Sequence, residues 1–241
     1  MRLVLSFALT TALLGLAGLN CFAQADRRVT IESYGWKLIG DLRMPKVKGP
    51  VPVVLMFNKA NGSRDAYKPL AGYLSDRDIA SFRIDLRGHG ESTNKGKFGP
   101  PFDAPMLALT EESDRDVYAA VAYVKGLKGI DIARIGIVGA SYSGEEMAIA
   151  ARKMGYAKAY VALSPGSYSE QSINAIDTSG ARWLFVRSAD ERNLKGMHEE
   201  IRKISKTAEL FEVAGSKHAS DLLDATPGLP EMIAAWFKHN L

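Results

Sequence analysis

Val51 to Phe57, which reads Val-Pro-Val-Val-Leu-Met-Phe, is an almost unbroken apolar run that begins just after Gly49-Pro50. A strand with one solvated face alternates polar and apolar residues. A strand covered on both faces has no polar phase, and this is how a strand inside a parallel sheet reads. Ile79 to Leu86, Arg134 to Gly139, Tyr160 to Leu163, Trp183 to Val186 and Leu210 to Val213 read as further strands, and Val29 to Glu32 and Leu38 to Met44 as two opening strands joined by a turn at Tyr34-Gly35. Helical segments fall between them: Arg64 to Leu74, Glu111 to Leu127, Ser143 to Met154, Glu191 to Ile204 and Pro230 to His239. The second carries Val117, Val121, Val124 and Leu127 at helical spacing, with Glu111, Glu112 and Asp114 suiting its N-terminal turn. The last has proline at its first position. Asn94 to Pro105, rich in Gly and Pro, reads as loop. The alternation predicts an α/β fold: a mostly parallel eight-stranded sheet with helices on both faces.

The chain has 241 residues, with 31 Lys+Arg against 27 Asp+Glu and a net charge of +4. Hydrophobic residues make up 46% and charged residues 24%, which excludes a disordered chain, a collagen-like chain and a multi-span membrane protein. The basic residues are scattered rather than clustered, so no nucleic-acid partner is expected. A single cysteine, Cys21, permits neither an intrachain disulfide nor a four-thiolate zinc site.

Residues 1–25 have the pattern of a secretory signal peptide: Met1-Arg2, an apolar stretch from Leu3 to Leu19, and Ala23-Gln24-Ala25 as the small-x-small cleavage site before Asp26. The competing readings are an uncleaved anchor helix and a lipoprotein at Cys21, where Asn20 occupies a position that calls for a small residue. Cleavage after Ala25 would leave one domain, residues 26–241, secreted or periplasmic and without stable membrane insertion. It would contain no cysteine, so its stability must come from its core.

In such sheets the reactive residues lie just past the carboxyl ends of the strands. The strand Ile135 to Val138 runs into Gly139-Ala140-Ser141-Tyr142-Ser143-Gly144 and then into a helix. A serine between a buried strand and a helix sits in a strained turn. The positions two before and two after it nearly touch and must be small, which Gly139 and Ser143 satisfy. That turn presents Ser141 at the tip of the sheet above a helix N-terminus. Serine needs a base, and the base needs an orienting acid. Of four histidines, His198 and His239 read as surface residues and His89, between two glycines, as a turn residue; His218, after the last strand, is the best base. Asp190, after Trp183 to Val186, is the best acid, with Asp177 the weaker competitor. Backbone N–H groups of the loop Asn58-Lys59-Ala60-Asn61-Gly62, together with that of Tyr142, would form an oxyanion site.

With these motifs in this order the chain resembles the α/β-hydrolases over nearly all of residues 31–241. Asp85-Leu86-Arg87-Gly88-His89-Gly90-Glu91-Ser92 is similar to the Asp-x-Arg-Gly-His-Gly-x-Ser segment that follows the fourth strand in many members. Arg134-Ile135-Gly136-Ile137-Val138-Gly139-Ala140-Ser141 is similar to the strand and elbow of the dienelactone-hydrolase-like and prolyl-oligopeptidase-like branches. The resemblance implies Ser141 as nucleophile, Asp190 as acid and His218 as base, with Ala60, or Lys59 as the near alternative, supplying an oxyanion N–H. Two departures stand out. Ser143 occupies the position of the last Gly in G-x-S-x-G and narrows the elbow, and Asn58-Lys59 replaces the usual His-Gly.

The interval from Ser141 to Asp190 must hold a helix, a strand, a helix and a strand, which leaves no room for a large cap domain. Lys95 to Pro105 is the candidate for partial cover, through Phe98 and Phe102. The expected activity is cleavage of small-molecule carboxylic esters through a Ser-His-Asp triad, with no metal, nucleotide or flavin cofactor. The rivals are a serine peptidase of the same architecture and a binding protein on the same scaffold.

Overall fold

The computed structural model describes residues 25–241 apart from 156, 192–195, 197–198, 202 and 204–207. The expected leader up to residue 24, His198 and most of the helix expected from Glu191 lie outside the described residues. Eight strands form one sheet: β1 (Arg27–Ser33), β2 (Trp36–Arg43), β3 (Val51–Phe57), β4 (Ala80–Ile84), β5 (Ile130–Ala140), β6 (Ala159–Leu163), β7 (Arg182–Ser188) and β8 (Ala208–Val213). Their spatial order is β1-β2-β4-β3-β5-β6-β7-β8. The β1–β2 and β2–β4 pairs are antiparallel; every pair from β4 to β8 is parallel.

Every residue of β3, β4 and β6 is buried, as the missing polar phase demands. The pleat deals β3 to two cores. Val53, Leu55 and Phe57 join one, with residues of α3 (Asp114–Lys125) and α4 (Tyr142–Met154). Val54 and Met56 join the other, with α1 (Lys68–Ser75) and, near the C-terminus, Ile233 and Phe237 of the last helix. Each such side chain, fully buried, contributes roughly 1.5–3 kcal/mol. Gly136 of β5 makes one of these contacts possible: a Cβ there would lie 2.7 Å from the Phe237 ring.

Two stretches differ from expectation. The loop expected up to Pro105 ends earlier, because Asp103 Oδ1 accepts from Met106 N–H at 3.1 Å and caps α2 (Ala104–Glu111), with proline in its first turn. The helix expected from Glu111 to Leu127 is α3, and α2 is an additional helix before it, separated at Glu112-Ser113, where the Ser113 hydroxyl bonds back to Leu109 O at 2.7 Å. The second helix required between Ser141 and Asp190 is α5 (Glu170–Thr178). Two short-looped helices close the chain, α6 (Asp221–Ala225) and α7 (Leu229–Asn240). No large cap interrupts the described residues, and none of their helices is long and apolar enough to cross a membrane.

Candidate active site

Ser141 directly follows β5, with φ 56° and ψ −124°, a sparsely populated backbone for a non-glycine residue. Its surroundings hold it there. Ser141 N–H donates to Leu163 O at 3.0 Å, and Ser141 O accepts from Gly144 N–H at 3.0 Å and Gly166 N–H at 3.3 Å. The demand for small residues falls on Gly139 and Gly144. A Cβ at Gly139 would meet Ser143 O at 2.6 Å, and one at Gly144 would meet Pro165 Cβ at 2.8 Å.

Ser143 does not narrow the turn, contrary to expectation. Its buried Oγ accepts from Ala140 N–H at 2.7 Å and shares its proton between Phe57 O at 3.1 Å and Ala140 O at 3.0 Å. The departure from glycine thus ties the elbow to the end of β3.

His218 Nε2 lies 3.0 Å from Ser141 Oγ. His218 Nδ1 lies 2.7 Å from Glu191 Oε1. A carboxylate only accepts, so Nδ1 carries the hydrogen and Nε2 presents its lone pair to the serine hydroxyl. The base expected from sequence is therefore beside the expected nucleophile, but the acid beside it is Glu191, not Asp190.

The path of the chain after β7 explains the difference. Ala189 N–H donates to Val213 O at 2.8 Å and Asp190 N–H to Gly215 O at 3.0 Å, zipping this loop to the exit of β8. The chain then turns, with Glu191 N–H donating to Ser188 O at 3.2 Å. Asp190 is exposed on the outside of the turn. Glu191 folds back inside, where Oε2 accepts from Ser188 N–H at 2.8 Å and from Ser164 Oγ at 2.7 Å. Asp177, the weaker candidate, is exposed on α5. The adjacent acids Asp190-Glu191 were the available signal: where the chain leaves a strand, neighbouring side chains point opposite ways, so only one of the pair can face the histidine.

The loop after β3 is braced on the inner side. Tyr67 Oη donates to Phe57 O at 2.6 Å, Asn58 Oδ1 accepts from Leu86 N–H at 2.8 Å, and Asn58 Nδ2 donates to Lys59 O at 2.8 Å. Asn58, in the place of the expected histidine, thus pins the loop to the exit of β4. Lys59 Nζ reaches Asp221 Oδ2 at 2.6 Å, bridging this loop to the helix that follows His218. Ala60 is half-buried in the loop. Tyr142 is the first residue of α4, where a backbone N–H has no partner within the helix.

The segment Asp85 to Ser92 supports the site from below. Asp85 is fully buried, pairs with the Arg64 guanidinium and accepts from the Arg64 and Glu91 N–H groups at 2.7 and 2.9 Å. Gly90 is at φ 49°, and a Cβ there would sit 2.1 Å from the Asp85 carboxylate. Arg87 pairs with Asp116 at 2.7 Å, and Ser92 Oγ donates to Asp85 O at 2.7 Å. His89 is a buried turn residue, as expected: Nδ1 donates to Arg87 O at 2.8 Å, the ring stacks between Phe98 at 4.8 Å and Tyr142 at 5.7 Å, and burial holds its pKa below the ordinary value. Phe98 is thus turned inward, while Phe102 remains exposed. His239 is exposed on α7.

Neither a family model nor a curated protein matches this sequence. Solved structures do match. They include a dienelactone hydrolase from Anabaena variabilis (18% identity, 90% of this chain and 96% of that one, TM-score 0.68). An esterase of Pyrococcus furiosus matches at 15% identity, over 91% of this chain and 92% of that one, with TM-score 0.69. Est1E from Butyrivibrio proteoclasticus, in a structure with ferulic acid bound, matches at 19% identity, over 88% and 96%, with TM-score 0.68. The chain has the α/β-hydrolase fold. Among the described residues no large cap domain interrupts that fold.

Proposed function

We propose that the protein is a serine hydrolase acting on small carboxylic esters. The observation that carries this reading is the relay from Ser141 Oγ through the His218 imidazole to Glu191, with contacts of 3.0 and 2.7 Å, on a strained strand-to-helix turn. Ser141 Oγ attacks the acyl carbon as His218 Nε2 takes its proton. The imidazolium, steadied by Glu191, returns that proton to the leaving alkoxide, and the alcohol departs. Water then repeats the sequence: His218 takes its proton, hydroxide adds to the acyl-enzyme, and the proton goes back to Ser141 as the acid leaves. The Tyr142 N–H and that of Ala60, or of Lys59, stabilise the oxyanion.

The absence of a large cap among the described residues supports ester rather than amide cleavage. An amide needs a protonated leaving nitrogen and firm positioning on both sides of the scissile bond. An activated ester needs only the nucleophile and the oxyanion donors. The test is labelling with a fluorophosphonate, then kcat/KM for p-nitrophenyl acetate or butyrate beside aminoacyl p-nitroanilides. Label on Ser141 and faster ester turnover are expected. Equal or better anilide cleavage would make it a peptidase, and no label with no turnover would make it a binding protein.

We further propose export with cleavage after Ala25, on the apolar stretch and Ala23-Gln24-Ala25. N-terminal sequencing of the exported form should begin at Asp26; Met1 retained on a membrane-bound form would overturn this.

A further inference from the structure

Six described non-glycine residues have positive φ: Tyr34, Asn61, Asp78, Ser141, Ser164 and Ala219. Two of them flank the relay just described, Ser141 as its nucleophile and Ala219 next to His218. Ser164, the first residue past β6, has φ 39° and is fully buried. Such a backbone costs on the order of 1–3 kcal/mol unless its neighbours impose it. Here Ser164 N–H donates to Val186 O at 2.7 Å, while the carbonyl just before it, that of Leu163, accepts from Ser141 N–H at 3.0 Å. The result aims Ser164 Oγ at Glu191 Oε2, 2.7 Å away.

We propose that Ser164 is a positioning residue for the acid. A glutamate has three rotatable bonds, and freezing them costs entropy that one contact to an imidazole offsets poorly. Its Oε2 is occupied by two donors, Ser164 Oγ and Ser188 N–H. That leaves Oε1 turned to His218 Nδ1. The Glu191 side chain is only 9% exposed, so water is poorly placed to substitute for a lost donor. Ser164 also joins the two halves of the relay. The peptide that sets the Ser141 backbone is the one that carries the hydroxyl holding Glu191. This inference rests on the proposed hydrolase function for its kinetic readout, but not for its spectroscopic one.

The test compares Ser164→Ala with Ser164→Gly, each in the native and in the Glu191→Gln background. Glycine accepts φ 39° without strain, so Ser164→Gly separates the hydroxyl from the backbone and serves if the alanine variant folds poorly. Both variants should lose roughly 10- to 100-fold in kcat toward p-nitrophenyl acetate, the worth of one hydrogen bond to a charged group, with KM little changed. In the Glu191→Gln background the same substitutions should cost almost nothing more. Recovery of activity in Ser164→Gly, or an equal loss in both backgrounds, would show a merely structural role and overturn the proposal. The proton resonance of His218 Nδ1–H gives a readout independent of turnover. It should move and exchange faster with water in both variants; an unchanged resonance overturns the proposal even if the protein proves to cleave no ester. Absence of fluorophosphonate label on native Ser141, by contrast, would count against the hydrolase reading alone.

Discussion

Glu191 Oε1 lies 2.7 Å from His218 Nδ1, while the preceding residue, Asp190, faces solvent. Removing the charge next to the imidazole favours the wrong tautomer. Glu191→Gln should therefore lower kcat by roughly 10⁴-fold, whereas Asp190→Asn should leave turnover nearly intact. Steady-state kinetics on the two variants check this, and the opposite ranking would return the acid role to Asp190.

The two serines of the elbow should separate activity from stability. Ser141→Ala is expected to lower kcat by at least about 10⁴-fold with the fold unchanged. Ser143→Ala removes the bonds to Ala140 and Phe57 and should lower unfolding free energy by about 1–3 kcal/mol in urea titrations, while most turnover survives. A Ser143→Ala protein that folds normally yet is inactive would contradict the roles given to the pair.

The bridge from Lys59 to Asp221 is partly exposed, with side-chain exposures of 22% and 49%. Its direct worth to stability is under about 1 kcal/mol. Its geometric effect should be larger, because it joins the loop after β3 to the segment bearing His218. Asp221→Asn should leave the melting temperature almost unmoved but lower kcat/KM, and high salt should bring the native protein toward the variant. Identical kcat/KM at low salt would remove any such role.

A buried carboxyl on α4 gives a pH signature. Burial pushes Glu146 up to about 8, and the nearby Asp114 and Glu145 charges add to the rise. The folded state thus binds this proton more tightly than the unfolded chain. The group's contribution to stability is full below about 4.5 and is lost as pH rises through about 8. The slope from this one group is at most about 1.4 kcal/mol per pH unit. Chemical denaturation across that window should show a decline that is shallower in Glu146→Gln.

Those features that depend on local pattern were legible in the sequence. The apolar phase of Val51 to Phe57 matched β3 residue for residue, and the small residues around Ser141 marked the elbow. His218 was found because it follows the last strand. What escaped depended on contacts between distant segments. Asp190 and Glu191 are equivalent by pattern, and only the pairing of their loop with Val213 and Gly215 decides which one turns inward. Ser143 looked like an intrusion because its acceptor, Phe57 O, comes from another strand. The start of α2 was hidden by prolines that suit either a loop or a first helical turn.

The order of the strands governs when the relay can exist at all. Ser141 leaves β5 in the middle of the sheet, but His218 is held by the exit of β8 at its edge, and α7, which follows, packs over one face against α1. During synthesis the proposed nucleophile is therefore made well before its base. A growing chain that stops short of β8 has the Ser141 turn but neither His218 nor the Ile233 and Phe237 side chains that complete the second core. The proposed hydrolytic centre is therefore complete only once β8 and the segment after it are in place, so an incompletely made chain should be catalytically silent.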